Sequence, residues 1–190
     1  IAALCHHDGD RKLARAAAAL DVPYVLSAAS TTPLESVARE NGKAWFQAYL
    51  SDRWEVIDAL AARVWSAGLR TLVVTVDVPV AAIREAELRS GFSVPLKLRP
   101  ALVAGGLLRP RWLLGTFART LLQGGIPHFE NLTAQRGGPI LSTGVDHRAS
   151  RAGLNWEHIR KLRERWPGRL IIKGILRADD ALMARDTGVD

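Results

Sequence analysis

Short apolar runs, each followed by a helical pattern, constrain this 190-residue chain more than any other feature. Four runs rich in Val, Ile and Leu predict strands at residues 22–27, 44–50, 71–77 and 169–175. The segments that begin the strands recur about every 20 to 25 residues, apart from one gap of about 100. A strand, helix and strand at this spacing predict βα units and a parallel sheet whose strands are buried on both faces.

Two architectures are built from such units: an open doubly wound sheet and a closed eight-stranded barrel. No G-x-G-x-x-G sequence follows the first strand, which argues against a dinucleotide-binding crevice. In a barrel the chemistry lies at the carboxyl ends of the strands. The residues at those ends therefore decide what function the sequence indicates.

Helix boundaries are marked by capping residues. Thr32, Pro33 and Glu35 predict a capping box at the start of the second helix. Asn155 is expected to cap a later helix, which the Pro-Gly pair at 167–168 ends. The remaining predicted helices are 10–20, 52–67 (capped by Ser51 or Asp52 and ended by Gly68) and 178–187.

The gap of about 100 residues holds a basic segment. Residues 96–136 carry six Lys or Arg and one acid, within a chain of net charge +7. The stretch RPRWLLGTFARTLLQGG combines arginines with leucine pairs, so it is either a helix packed on the protein with solvated arginines or an attachment to an anionic membrane. No apolar run reaches the ~18 residues of a membrane span. One cysteine, Cys5, excludes an intramolecular disulfide and favours a reducing, cytoplasmic compartment.

Polar side chains stand at the carboxyl ends of the predicted strands. Each has an ordinary structural explanation, such as a turn, a solvated amide or a snorkelling lysine. Together they offer hydroxyls, an amide, a phenol and cations to one ligand, which suits a ligand rich in carbonyl oxygens or negative charge. These residues are Ser27, Gln47 with Tyr49, Thr75 with Asp77, Lys173, and Arg84 shortly after the third strand.

Four motifs in this order resemble the FMN-dependent α-hydroxy-acid dehydrogenases and oxidases: VPYVLSAASTTPLESVA, WFQAYL, LVVTVDVPVAAIREAELRSGF and LIIKGILRADDA. The resemblance covers nearly the whole chain. It implies an α/β fold, a (β/α)8 TIM barrel with FMN at its mouth, of which this chain is an internal portion of about four to five βα units. Residues 1–190 are then the central part of a single FMN-binding domain, with 96–148 as a basic inserted segment.

The resemblance also implies roles for single residues. Ser27, Gln47, Thr75 and Lys173 match the FMN-binding positions, with Lys173 beside flavin N1. Tyr49 and Arg84 match substrate-binding positions. The chemistry agrees, because an ammonium stabilises the negative charge of a reduced flavin, and does so better when it is screened from water. An arginine also offers a two-pronged clamp for a carboxylate.

The family's catalytic base is a histidine in an S-N-H-G-G-R motif, which the resemblance places beyond Asp190. The five histidines present match none of the family's base positions. We therefore expect the chain to be the middle of a longer protein. Half a barrel leaves strand edges and apolar faces uncovered, so residues 1–190 alone are expected to aggregate or fold only partly.

The resemblance implies oxidation of an L-2-hydroxy acid, lactate-like or mandelate-like, to the 2-keto acid, with electrons passed to quinone or another acceptor. The alternatives are an oxygen-using oxidase, an aldolase with Lys173 as Schiff-base lysine, or an inactive fragment. Leucine pairs in 96–136 favour lipid over nucleic acid as a partner. A homo-oligomer that is cytoplasmic, or peripheral on the cytoplasmic face of the inner membrane, is expected.

Overall fold

Four parallel strands form one sheet in a computed structural model that describes residues 2–78, 85–91, 99–141 and 152–190. All four predicted strands are present, and each is shorter than its apolar run. The sheet order follows the order in the chain. The strands are β1 Val25–Ser27, β2 Trp45–Ala48, β3 Thr71–Thr75 and β4 Arg169–Lys173.

Each strand pairs in parallel with the next one along the chain. A doubly wound sheet has a point at which the strand order reverses, and no such reversal occurs among the four described strands. Winding that continues in one direction is the arrangement of a barrel. The strand order therefore favours the barrel over the open sheet.

The two faces of the sheet differ in chemistry. Leu26, Phe46, Leu72 and Leu170 are at most 1% exposed and belong to the core between the sheet and the helices. On each strand, the residues directly before and after the core residue point to the opposite face, because side chains alternate along a strand. We call this opposite side the inner face, and it carries the polar residues that end the strands.

The helices cover the sheet and build the rest of the described chain. Buried residues of α3, α4 and α9 supply most of the helical half of the core. The helices are α1 Ala2–Cys5, α2 Gly9–Ala19, α3 Leu34–Glu40, α4 Trp54–Ser66, α5 Glu85–Ser90, α6 Pro100–Leu107, α7 Pro110–Trp112, a π-helical segment Leu113–Ala118, α8 Arg119–Gly124, α9 Trp156–Arg165 and α10 Ala178–Asp186.

Two predicted helix ends are confirmed. Asn155 caps α9 by accepting hydrogen bonds from the backbone N–H groups of Glu157 and His158, at 3.0 and 3.3 Å. The His158 ring accepts from the Asn155 N–H at 3.3 Å and completes a capping box. Gly68 follows α4 with φ +91°, a left-handed conformation that glycine adopts without strain.

The capping box predicted for α3 is wrong. The N–H of Leu34 donates instead to the side-chain oxygen of Asn131 at 2.9 Å, and the Asn131 amide donates to the Thr32 carbonyl at 2.7 Å. Glu35 is engaged by Arg63. Asn131 is fully buried, so a residue 97 positions away replaces the local cap.

The cap predicted for α4 is wrong as well. That helix begins at Trp54, and Arg53 at its N-cap makes no side-chain hydrogen bond. Ser51 accepts from the Arg53 N–H at 3.2 Å in the turn before the helix, and Asp52 supplies no cap.

The inserted segment is described over residues 99–141. Its α7, the π-helical segment and α8 contact the amino-terminal residues, and α6 packs against α7. The Trp112 indole N–H donates to the Leu4 carbonyl at 2.7 Å, and the Trp112 and Phe117 rings stack at 5.4 Å. The His7 Nδ1 and Thr120 Oγ1 atoms are 3.3 Å apart, within hydrogen-bond distance. Among the described residues, no helix is both long enough and apolar enough to cross a bilayer.

Candidate functional site at the carboxyl ends of the strands

Three polar side chains form a continuous hydrogen-bonded row across the ends of β1, β2 and β3. The Ser27 hydroxyl donates to the Gln47 carbonyl oxygen at 2.9 Å, and the Gln47 amide donates to the Thr75 hydroxyl oxygen at 2.8 Å. Gln47 is 8% exposed and Thr75 is 5% exposed. We call Ser27, Gln47 and Thr75 the strand-end row.

Strand register explains why these residues meet. Ser27 lies opposite Gln47 in the β1–β2 pair, and Gln47 lies opposite Val73 in the β2–β3 pair. Thr75 comes two residues after Val73, so it projects on the same face one step nearer the carboxyl edge. Three residues separated by 20 and 28 positions in the chain are thereby brought into contact.

The hydrogen bonds of Gln47 determine what the row offers to a ligand. Both protons of its amide nitrogen are used, one by Thr75 and one by the Ala48 carbonyl at 3.0 Å. Ser27 accepts from the Ala29 N–H at 3.2 Å. Thr75 therefore acts as an acceptor within the row, and its own hydroxyl proton remains available for donation at the edge of the sheet.

Lys173 stands beside the row at the end of β4. It lies opposite Thr75 in the β3–β4 pair, and its ammonium is 2.8 Å from the Asp77 carboxylate. The Lys173 and Asp77 side chains are 56% and 35% exposed. Water therefore reaches the Lys173 ammonium, which weakens its interaction with a nearby negative charge relative to that of a buried ammonium. The sequence singled out Asp77 as polar but not as the partner of Lys173; two opposite charges at the ends of neighbouring strands were the available signal.

Of the two residues expected to bind substrate, the structure describes Tyr49 but not Arg84. Tyr49 is half-buried two residues after Gln47 and packs against the core. Arg84 lies outside the described residues. The structure thus brings together Ser27, Gln47, Thr75 and Lys173, with Tyr49 shortly after β2, and their roles stay predictions.

A cavity of about 410 Å³ opens on the other side of the strand ends. Its wall includes Ile172 of β4 and Ile159 of α9, with Thr75 at its edge. Ser27, Gln47 and Lys173 are not among its lining residues. The cavity therefore lies mainly between the sheet and the helices, and it meets the inner face at Thr75.

The histidines that the structure describes are engaged away from the row. His158 is part of the α9 cap and His7 contacts Thr120. His6 and His128 hydrogen-bond to the backbone carbonyls of His7 and Ile126. The fifth histidine, at position 147, lies outside the described residues, and a base beyond Asp190 stays a prediction.

The groups with the largest pKa shifts also lie elsewhere. Hydrogen bonds from Arg15 and Arg11 lower the pKa of the Glu40 carboxyl to about 2. Burial, followed by the nearby Asp10 carboxylate, raises the pKa of Tyr24. Glu40 and Tyr24 both lie where α2 packs against its neighbours. Shifted pKa values therefore do not mark the candidate site, which is recognised by its hydrogen bonds and charges.

Comparison with known proteins gives one consistent result. The family model described as FMN-dependent dehydrogenase matches residues 1–190. An L-lactate dehydrogenase of Pseudomonas entomophila (strain L48) is 40% identical over 96% of this chain and 48% of its own length. An L-lactate oxidase of Lysinibacillus sphaericus (strain C3-41) is 34% identical over 98% of this chain and 44% of its own.

A solved structure supports the same family as these relatives. The crystal structure described as monotopic membrane protein (S)-mandelate dehydrogenase superposes with a TM-score of 0.81 at 35% identity, over 100% of this chain and 49% of that one. The chain spans about half the length of the curated relatives it matches. The barrel fold expected from the resemblance is confirmed, with four βα units described. The chain belongs to the FMN-dependent dehydrogenase family.

Proposed function

We propose that the protein carrying this chain oxidises an L-2-hydroxy acid to the 2-keto acid with FMN as cofactor. The observation that supports this most is the strand-end row with Lys173 beside it, which presents one neutral donor, the Thr75 hydroxyl, and one cation at a single edge. Family membership assigns FMN, and relatives named for lactate and mandelate indicate the substrate class.

The residues at this edge fit the polar rim of a flavin. When bound, FMN supplies an isoalloxazine ring that accepts two electrons from the substrate. The Thr75 hydroxyl proton can be donated to a carbonyl oxygen, and Lys173 keeps two of its three ammonium protons after pairing with Asp77. Ser27 and Gln47 hold Thr75 in place, so the edge is organised before a ligand arrives.

A positive charge at this edge favours the reduced cofactor, which carries more negative charge than the oxidised one. Lys173 supplies that charge. For the substrate, Tyr49 contributes a phenol close to Gln47, and Arg84 contributes a fork of donors for the carboxylate. The electrons pass to quinone or another acceptor, and an oxygen-using oxidase is the second possibility, since an oxidase is also among the relatives.

The test of this proposal is spectroscopic. We expect the intact protein to be isolated yellow, and L-lactate or (S)-mandelate to bleach the flavin absorbance without air, while the opposite enantiomers leave it unchanged. Borohydride trapping of a keto substrate on Lys173 would favour the aldolase instead. A colourless protein that takes up no FMN on reconstitution contradicts the proposal.

We further propose that the inserted segment binds the surface of an anionic membrane. Four of its leucines are largely exposed on α6 to α8 and the turn between them: Leu107 62%, Leu108 81%, Leu114 68% and Leu122 87%. Three arginines are exposed among them: Arg109, Arg111 and Arg119. The similar structure is described as a monotopic membrane protein, which supports this reading.

Magnitudes indicate which residues decide the affinity. Full burial of a leucine contributes about 1.5–3 kcal/mol, whereas a basic residue near an anionic surface contributes about 1 kcal/mol. The leucines therefore set the affinity, and the arginines set the preference for anionic lipid. The cytoplasmic face of the inner membrane and a homo-oligomeric state remain predictions from the resemblance.

Sedimentation with lipid vesicles tests this second proposal. We expect binding to vesicles of phosphatidylcholine with phosphatidylglycerol, and weaker binding to phosphatidylcholine alone. Replacing Arg109 and Arg111, two of the three exposed arginines, with Gln should reduce the preference for anionic vesicles. Trp112 is unsuitable for this test because it holds α7 against Leu4. If the protein sediments equally with and without vesicles, the proposal is contradicted, and the segment is a set of helices packed on the protein with solvated arginines.

A further inference from the structure

We propose that Asn41 and Gly42 form a deamidation site that is closed in the folded protein and opens when α2 separates from the end of α3. An Asn-Gly pair is the sequence in which this reaction is fastest, because glycine has no side chain to hinder it and its backbone bends freely. The asparagines of the chain precede Gly42, Leu132 and Trp156, so one pair has this reactivity.

The reaction needs only water besides the chain itself. The backbone nitrogen of Gly42, after it gives its proton to hydroxide, attacks the side-chain carbonyl carbon of Asn41. A bond forms between these two atoms, the bond from that carbon to Nδ2 breaks, and ammonia leaves with a proton from solvent. Water then opens the cyclic imide to give aspartate or isoaspartate. No atom is oxidised or reduced, so no further reactant is required.

In the folded protein the Asn41 side chain is held at both ends of its amide. Nδ2 donates to the Ala14 carbonyl at 3.3 Å, and Oδ1 accepts from the Lys43 N–H at 3.0 Å. Asn41 is 6% exposed, and Ala14 is fully buried on α2. Attack by Gly42 requires the amide to leave these partners, so the reaction waits for a local opening of the fold.

The backbone of Asn41 is fixed as well. Its N–H donates to the Val37 carbonyl at 2.9 Å, at the point where α3 ends. The contact of α2 with this point is reinforced at the surface, because Arg11 and Arg15 of α2 both donate to the Glu40 carboxylate, the last residue of α3. Separation of α2 from α3 is therefore the step that exposes the Asn41 amide.

Deamidation changes the fold just before β2. An aspartate at position 41 places a charged oxygen against the Ala14 carbonyl and beside the negative end of α3. An isoaspartate also adds a carbon to the main chain between α3 and β2, the strand that carries the buried Gln47. The closed site thus protects the strand that supplies the centre of the strand-end row.

Peptide mass spectrometry of the intact protein tests the proposal. Trypsin cleaves after Arg39 and Lys43, so the site is recovered in one peptide. At mildly alkaline pH we expect that peptide to deamidate about tenfold faster, or more, in urea than in the folded protein, because opening gives up two side-chain hydrogen bonds. Asn155, which precedes the bulky Trp156, is the internal control and should stay unmodified in both states.

Two variants separate the chemistry of the site from its opening. Gly42→Ala adds a Cβ that lies 3.9 Å from the Ala38 carbonyl oxygen, so it should keep the fold and slow the reaction in urea. Glu40→Gln weakens the contact of α2 with α3, so it should raise the ratio of the folded rate to the urea rate about threefold. Dividing by the urea rate removes any direct effect of residue 40 on the chemistry.

A third pair of variants tests the consequence. Asn41→Asp should lower the urea midpoint, because the new charge stands at the carboxyl end of a helix. Asn155→Asp should not, because aspartate is a good N-cap and its charge is favourable at the amino end of α9.

Equal deamidation rates in the folded protein and in urea overturn the proposal, and so does a peptide that stays unmodified in both. An unchanged ratio of rates in Glu40→Gln contradicts opening between α2 and α3. Slow reaction in the folded protein, fast reaction in urea and a raised ratio in Glu40→Gln support it. None of these results depends on bound FMN, so the proposed function is tested separately.

Discussion

The strand-end row and the inserted segment depart from the usual pattern of burial in opposite ways. In the row, polar side chains are buried: Gln47 is 8% exposed and Thr75 is 5% exposed. In the inserted segment, apolar side chains are exposed, up to 87% at Leu122. Both arrangements cost free energy unless something compensates, and in each region the compensation differs.

In the row the compensation is internal, because each polar group has a hydrogen-bond partner within the protein. In the inserted segment no described contact covers the leucines. Buried polar residues whose hydrogen bonds are satisfied thus stabilise the fold itself. Exposed apolar residues, such as the leucines of the inserted segment, indicate contact with a surface that is not part of the protein. Substitutions should therefore affect folding in the first region and association in the second.

The largest expected effect is that of Gln47→Leu on stability. It leaves the buried Thr75 hydroxyl and the half-buried Ser27 hydroxyl without their shared partner, which should lower the free energy of unfolding by about 3 kcal/mol. Urea unfolding of the intact protein measures this. Gln135→Leu, at an exposed position, should stay within about 0.5 kcal/mol of wild type. Equal midpoints for the two variants would remove the distinction between the regions.

Replacing Leu108 and Leu122 with Ser should have the converse result. Each substitution should weaken binding to anionic vesicles about tenfold, with an unfolding free energy within about 0.5 kcal/mol of wild type, because the side chains are 81% and 87% exposed. Leu20→Ser is the control, since Leu20 is 73% exposed outside the segment. A loss of stability without a loss of vesicle binding contradicts the assignment.

Asn131→Ala tests the point where the two regions join. Asn131 belongs to the inserted segment and holds the first turn of α3, just after β1. Its loss leaves the Leu34 N–H unpaired in the interior and leaves the half-buried Thr32 carbonyl with only the long 3.5 Å contact from the Ser30 hydroxyl, at a cost of about 2 kcal/mol. Urea unfolding should place Asn155→Ala nearer 1 kcal/mol, because that cap is exposed. The reverse order would show that the segment is not anchored there.

The smallest expected effect is that of pH on the α2–α3 surface. The pKa of Glu40 is lowered from 4.5 to about 2, so its pairing stabilises the fold fully above about pH 4.5 and less as the pH falls toward 2. Glu40→Gln should flatten the fall in urea midpoint between pH 5 and 3. Glu164→Gln, exposed on α9, should not. The effect is small because the Arg11 and Arg15 side chains are exposed, so that solvent screens their pairing with Glu40.

Much of the fold follows from local sequence. Apolar runs identified all four strands, and Asn155 and Gly68 identified helix ends, because each acts on its own backbone neighbourhood. Local sequence failed at α3, where Thr32 and Glu35 satisfied the pattern of a capping box. Asn131, 97 residues away, makes the bonds instead, and no local rule contains that contact.

The site follows the same division. Ser27, Gln47, Thr75 and Lys173 could be selected because they end strands, and parallel strands end at one edge. Their hydrogen bonds, and the pairing of Lys173 with Asp77, depend on register and on the room that Gly174 leaves. Those properties arise only when distant strands are assembled.

The central claim is that FMN is held at the carboxyl edge of the sheet by the strand-end row. The most direct measurement is FMN titration of the intact, flavin-stripped protein for Thr75→Val and Thr71→Val, which remove the same hydroxyl from the same face at opposite ends of β3. We predict that Thr75→Val weakens FMN binding about tenfold, as expected for one lost hydrogen bond, and that Thr71→Val leaves it unchanged. Equal affinities for the two variants would contradict the claim.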